Sequence, residues 1–366
     1  MTAARDLAGR VRLFFLLARP PLVILLAMFA ALGVAQAGHA ADLEALALAL
    51  LVVVGFVACA VAVNDLSDVA VDRVNLPDDP SRLLASGAAS VLEMRTIAVV
   101  GASCAMVVSA TIGWLSTAST AAGLLLAVAY SLPPLQLSKR GVIASLLLPF
   151  GFVAVPFLTG ILAAGSAVSV PDLGLLAGLY LGFVGRILLK DFRDVRGDAL
   201  LGKRTFLVRH GRVRTCGLSS ALWLAGSVTL AAVTGVRAPV VVAYTVLVAV
   251  ALFLLRALAR STSARRDEAL VGAIAIVGRG LVLALLVHYG TVQAGTGELV
   301  SAIVMAMVTG AILVWASDVA RHGTTTALFA PRLTTVTSAP RRSKNAHRPR
   351  PQSGSARHIL TRRPTS

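Results

Sequence analysis

The chemistry of this chain is concentrated in its acids. Only 17 of its 366 residues are Asp or Glu, and eight of these fall in two short stretches. The first reads Asn64-Asp65-Leu66-Ser67-Asp68-Val69-Ala70-Val71-Asp72, with Asp78 and Asp79 just beyond. The second reads Lys190-Asp191-Phe192-Arg193-Asp194-Val195-Arg196-Gly197-Asp198. Both are D-x-x-D-x-x-x-D, and the second copy lies 126 residues after the first. On a helix this spacing sets three carboxylates along one face over two turns, where they repel one another. At a helix C-terminus the macrodipole disfavours them further. A bound multivalent cation offsets both costs. The ligands on offer are hard oxygens without His or Cys, which suits Mg²⁺ better than zinc. Mg²⁺ takes one or two carboxylates and completes its shell with substrate phosphate oxygens. Bases that can hold such a phosphate stand nearby: Arg73 and Arg82 in the first loop, Lys203 and Arg204 in the second, Lys139 and Arg140 between them. The pattern describes a diphosphate clamped between two Asp-rich helix ends. A lone copy would read equally well as solvated Asp–Arg pairs; the repeat at one spacing favours a site.

The elements that position these acids are membrane spans. Hydrophobic residues make up 57% of the chain and charged residues 14%, against roughly 25% charge in a soluble domain; the mean hydropathy is +0.83. This excludes a soluble globule, a disordered chain and a secreted disulfide scaffold. About 20 apolar residues cross a bilayer core, and ten candidate spans result: 13–37, 43–64, 93–113, 118–133, 142–164, 171–189, 215–235, 238–257, 269–289 and 298–317. The expected fold is all-α, a polytopic transmembrane helical bundle of about nine core helices plus a tenth, built from a duplicated helical unit. With ten spans, 31 of the 34 Lys and Arg fall on one side, which by the positive-inside rule is the cytoplasm. The expectation is an integral protein of the cell membrane with the N-terminus and the C-terminal tail cytoplasmic. Residues 1–318 form the bundle. Residues 319–366, rich in Ser, Thr, Pro, Arg and His, read as a disordered basic tail suited to anionic lipid headgroups. No folded motif or aromatic interleaving accompanies that charge, so nucleic acid is not an expected partner.

Smaller signals are fewer. Cys59, Cys104 and Cys216 match no disulfide or zinc spacing and read as small buried hydrophobes. Arg186 and Arg279 lie within spans, where an ionisable residue suggests function; Arg186 either snorkels or reaches the diphosphate, and Arg279 suits a substrate cavity. His288 and Tyr289 read as interfacial anchors, and Gly160, Gly178, Gly182 and Gly185 as sites of close helix packing. A transporter with a carboxylate-lined cation pathway is the alternative from another class, although its acids belong at the bilayer midplane and these sit at helix exits.

The residues also carry a resemblance. The first stretch continues Asp72-Arg73-Val74-Asn75-Leu76-Pro77 and ends Leu84-Ala85-Ser86-Gly87; the second continues to Gly202-Lys203-Arg204-Thr205-Phe206. With Tyr130-Ser131-Leu132-Pro133-Pro134 and Lys139-Arg140 between them, these motifs resemble the UbiA superfamily of intramembrane prenyltransferases over about residues 13–290. They are most similar to the homogentisate, chlorophyll-type and archaeal lipid-ether enzymes. One departure is Pro80-Ser81-Arg82-Leu83-Leu84 where the family has Arg-Pro before its Ser-Gly, and the acceptor stays open. The resemblance implies Mg²⁺-dependent transfer of a prenyl group from a polyprenyl diphosphate to an aromatic or lipid acceptor, with loss of pyrophosphate. It implies that Asn64, Asp68 and Asp72 hold one Mg²⁺ and Asp191, Asp194 and Asp198 the other, with Asp65 one residue off the first face. Asp68, Asp72, Asp191, Asp194 and Asp198 become the catalytic acids. Arg82, Lys139, Arg140, Lys190, Lys203, Arg204 and Tyr130 become substrate-binding.

Overall fold

The computed structural model describes residues 19–75, 82–192, 195, 205–233 and 237–323. Ten helices form among them: α1 Pro20–Gln36, α2 Leu43–Asn75, α3 Val91–Ile112, α4 Trp114–Ser131, α5 Val142–Ala163, α6 Val170–Ile187, α7 Phe206–Val233, α8 Ala238–Arg260, α9 Ala264–Gln293 and α10 Glu298–His322. No strand occurs among the described residues. All but α1 are long and apolar enough to cross a bilayer, and the protein is an integral membrane protein. Each of the ten expected spans has a helix among the described residues, the tenth included, although the first, expected over 13–37, is described as helix only over Pro20–Gln36. The tail was expected from residue 319, but α10 runs on to His322; residues 324–366 lie outside the described residues.

Helix α2 governs the site. At 33 residues it is about 50 Å long at 1.5 Å per residue. The expected span ended at residue 64, yet the helix continues without a break through Asp72. The whole first acidic stretch is therefore helical. Two other helices have breaks that matter. In α5 a π-helical turn occupies Phe150–Ala154, just before Pro156, whose ring nitrogen cannot donate to the Phe152 carbonyl. In α7 the helix breaks at Gly211, whose φ of 76° an L side chain rarely adopts.

The two acid-bearing helices each pack on their successor through paired glycines. A Cβ on Gly55 of α2 would lie 2.7 Å from the Gly101 carbonyl of α3, and one on Gly101 would lie 2.7 Å from the Gly55 carbonyl. Gly178 of α6 and Gly226 of α7 repeat this, with Cβ positions 3.0 and 2.7 Å from each other's carbonyls. Backbones that meet this closely gain dispersion contacts, the main source of helix adhesion in lipid. The second crossing lies 123 and 125 residues beyond the first, close to the offset of the acidic stretches. Gly160 packs on the Ala30 carbonyl and Gly185 on Trp223, whereas Gly182 has open space beside it.

Two smaller expectations are corrected. His288 is buried and not interfacial, because α9 continues past it to Gln293, whose side chain donates to the Ala35 carbonyl of α1. Cys104 is exposed on α3, while Cys59 and Cys216 are buried.

Candidate functional site

Five α2 residues, Phe56, Ala60, Asn64, Asp68 and Asp72, follow one another at intervals of four and share one face. All five line a cavity of about 310 Å³. The face is apolar for two steps and then polar for three, so one helix gives the cavity a greasy end and an acidic end. The apolar end is completed by Leu126 of α4, Leu148 and Phe152 of α5 and Ile187 of α6. The π-helical turn carries Phe152 into this wall, where it meets Phe56 edge-on at 6.4 Å between ring centroids. Arg19, Arg82, Tyr130, Ser138 and Lys190 complete the polar end.

The acids are held by two guanidiniums. Arg82 reaches Asp72 at 3.1 Å and Asp65 at 3.3 Å, and Arg19 pairs with Asp65. Asp65 and Asp72 are 2% and 6% exposed, so neither charge is tolerable without such partners. Asp65 sits one residue off the lining face, and it does not line the cavity. Both Arg19 and Arg82 pair with it there. Asn64 Nδ2 donates to Asp68 Oδ2 at 2.8 Å, which leaves the amide oxygen of Asn64 and a second oxygen of Asp68 for a cation. Ser67 donates to the Ser131 carbonyl at 2.6 Å and ties α2 to the end of α4.

Across the cavity, Lys190 Nζ donates to the Tyr130 hydroxyl at 3.0 Å and lies 5.7 Å from the ring centroid. Lys190 and Tyr130 thus meet as a pair on the cavity wall. Lys139 and Arg140 do not join them. Both are exposed, and Arg140 Nε donates to the Leu135 carbonyl of its own loop at 3.0 Å. Asp191 is 5% exposed, in a helical segment just past the turn that follows α6, and is not part of the cavity wall. Asp194, Asp198, Lys203 and Arg204 lie outside the described residues.

Sequence reasoning missed Arg19, which it counted only as a cytoplasmic charge. Its backbone is left-handed (φ 45°, ψ 75°) directly before Pro20, a combination that costs energy and persists where the surroundings enforce it. The Arg-Pro-Pro sequence was the available signal. Also missed was the clamp behind the second stretch. Arg212, just past the Gly211 break, donates to both carboxylate oxygens of Asp267 at 2.8 and 2.7 Å and to the Leu258 carbonyl at 3.0 Å. Its guanidinium lies 4.9 Å from the centroid of the Phe192 ring, next in sequence to Asp191.

The donors fit a magnesium ion in kind: Asp68 and Asp72 carboxylates and an Asn64 amide oxygen, all hard. Among the described residues no three His, Cys, Asp or Glu side chains converge, so these donors need phosphate oxygens or the second stretch to complete a shell.

Residues 24–277 match the model of the UbiA prenyltransferase family. The bacteriochlorophyll synthase 34 kDa chain of Chloroflexus aurantiacus is 32% identical over 41% of this chain, and the match spans 47%, about half, of that relative. A digeranylgeranylglyceryl phosphate synthase of Thermococcus gammatolerans is 30% identical over 53% of this chain and 67% of its own length. A solved digeranylgeranylglyceryl phosphate synthase structure covers 76% of this chain and 98% of its own, with a TM-score of 0.59 at 18% identity. A UbiA homologue from Archaeoglobus fulgidus bound to DMAPP and Mg²⁺ covers 84% of this chain and 99% of its own, with a TM-score of 0.53 at 15% identity. These two likenesses show a shared fold. The chain belongs to the UbiA prenyltransferase family.

Proposed function

We propose that this member of the UbiA prenyltransferase family transfers a prenyl group from a polyprenyl diphosphate to an aromatic or lipid acceptor, in a Mg²⁺-dependent reaction that releases pyrophosphate. The observation that carries the reading is the face of α2, which runs from Phe56 to Asp72 along one cavity wall. It matches the polarity of a prenyl diphosphate, hydrocarbon at one end and anion at the other. That face covers about 24 Å of helix at 1.5 Å per residue.

Asn64, Asp68 and Asp72 would hold one Mg²⁺, and Asp191, Asp194 and Asp198 a second. An ion held by these residues would supply positive charge to offset that on a leaving diphosphate. Arg19, Arg82 and Lys190 bring three further positive charges to the same end of the cavity, and preorganised charge of this kind stabilises a leaving anion most where water is excluded. Lys203 and Arg204 are assigned to the same anion. Breaking the carbon–oxygen bond leaves an allylic cation. The Phe56 and Phe152 rings line the apolar part of the cavity wall, beside the prenyl chain. The apolar wall keeps water from quenching it. The acceptor then bonds to the same carbon and gives up a proton.

The relatives are named as a bacteriochlorophyll synthase and digeranylgeranylglyceryl phosphate synthases, which favours bulky lipid-soluble acceptors. The basic tail and N-terminus belong on the cytoplasmic side of the cell membrane, where 31 of the 34 Lys and Arg gather. The test is purified protein in nanodiscs with geranylgeranyl diphosphate, Mg²⁺ and a panel of lipid acceptors, read by mass spectrometry of the products. A prenylated product that disappears with EDTA supports transfer. Cation flux across liposomes without any product identifies a transporter instead.

A further inference from the structure

The cavity along α2 closes at one depth. Among the described residues its wall ends at Leu22 on α1, Phe56 on α2, Gly123 on α4, Phe152 on α5 and Ile187 on α6. No described residue of these helices farther from the acids lines it. The next turn is solid: Leu26, Val52 and Thr120 are 0% exposed and Val155 1%. A hydrocarbon that follows the α2 face away from the acidic end therefore meets packed protein and not a tunnel through the bundle.

Phe56 forms the centre of that end wall. Its side chain is 1% exposed, and its ring is seated between two glycines. A Cβ on Gly151 of α5 would lie 2.8 Å from the ring Cζ, and one on Gly123 of α4 would lie 3.1 Å from Cε2. Both backbones approach the ring this closely because neither carries a side chain there. The ring has no space on either side to swing into, and an interior packed this densely does not make room for extra methylenes without cost.

The depth of the end wall sets a length. The diphosphate is assigned to Asn64, Asp68 and Asp72, and Asp68 marks the middle of that anionic end. Phe56 lies 12 residues from Asp68, which is about 18 Å along the helix. One isoprene unit adds four chain bonds of about 1.5 Å, or about 5 Å when the zigzag is extended. Three extended units stop short of the ring, a fourth reaches it, and a fifth has no space.

We infer that Phe56 is the end stop of the donor site and determines chain-length specificity: it admits prenyl diphosphates of up to about four isoprene units lying along α2 and excludes longer ones. That the occupant is a prenyl diphosphate rests on the transferase reading; the closed end of the cavity does not.

The test is equilibrium binding of the farnesyl, geranylgeranyl and geranylfarnesyl thiodiphosphates, of three, four and five units, to the full chain in nanodiscs with Mg²⁺. In the parent, affinity is expected to rise from the three-unit to the four-unit chain and to fall at least about tenfold at five units. A Phe side chain holds more carbon than one isoprene unit, so Phe56→Ala makes room for the fifth. The ratio of five-unit to three-unit affinity is expected to rise at least about tenfold in Phe56→Ala. It is expected to rise by less in Phe56→Leu, which keeps more of the packing and carries the test if the larger truncation does not fold. A purely structural loss weakens every chain alike, so an unchanged ratio in the folded variants overturns the end stop. Equal affinity of the parent for four and five units overturns it as well, because the chain then leaves between helices into the bilayer. Mg²⁺-dependent binding that ignores length removes the end stop alone, whereas no Mg²⁺-dependent binding by any chain removes the donor reading with it.

Discussion

Arg82→Gln perturbs the centre of the acidic network. In the folded protein one guanidinium nitrogen of Arg82 reaches Asp72 at 3.1 Å and Asp65 at 3.3 Å. Asp65 keeps Arg19 when Arg82 is removed. Asp72 loses its ion pair and is left one helical turn from Asp68. Breaking a buried pair costs about 3–5 kcal/mol. The lower end, about 3 kcal/mol, applies here because Asp72 borders the cavity. At roughly 2 °C per kcal/mol for a chain of this size, the melting temperature falls by about 6 °C. The same change frees Asp72 for a metal. Mg²⁺ no longer competes with a guanidinium, so it stabilises the variant by more than it stabilises the parent, through RT ln(1 + [L]/Kd). The assay is intrinsic-fluorescence melting of both proteins in detergent, with EDTA and with saturating Mg²⁺. Equal melting temperatures in EDTA, or equal Mg²⁺ increments, refute the view that Arg82 and a metal share Asp72.

Three further outcomes are expected. Asp68→Ala and Asp194→Ala abolish Mg²⁺-dependent pyrophosphate release while leaving a monodisperse, helical protein, as read by phosphate-coupled assay and circular dichroism; full activity in both defeats the two-metal reading. Gly55→Val drives a side chain into the Gly101 carbonyl, 2.7 Å from the Cβ position, and destabilises the bundle by about 3 kcal/mol, visible as a lowered melting temperature and loss of the gel-filtration peak. Asp267→Asn removes one charge of the Arg212 pair, whose arginine is about a third exposed, and costs about 2 kcal/mol after allowance for solvent screening. Its activity loss is checked for rescue by raised Mg²⁺, which identifies displacement of the second acidic stretch.

Much of this was legible from residue type and period. Ten apolar segments separated by charge gave ten helices, because the bilayer demands both length and composition. The intervals of four from Asn64 to Asp72 predicted a shared face, and the cavity lies along it. The i, i+3, i+7 spacing grouped Asp65 with Asp68 and Asp72, whereas in the structure Asp65 pairs with Arg19 and Arg82 and lies off the cavity wall. What stayed hidden depends on contacts distant in sequence. Arg19 is 46 residues from Asp65, and the Arg-Pro-Pro sequence marks the backbone at Arg19 without naming its partner. Lys139 and Arg140 had the right charge in the right loop, but that loop satisfies Arg140 with its own Leu135 carbonyl. The close fit of Gly185 and Gly278 against Trp223 likewise comes from packing, which no single helix encodes.

The central claim is that the α2 face binds a prenyl diphosphate through metal and acid together. Its most direct test is equilibrium binding of geranylgeranyl thiodiphosphate, which resists ionisation, to the purified protein. The account predicts saturable binding with Mg²⁺ that is lost in EDTA and lost again in Asp68→Ala with Mg²⁺ present. Binding of equal strength under all three conditions contradicts it.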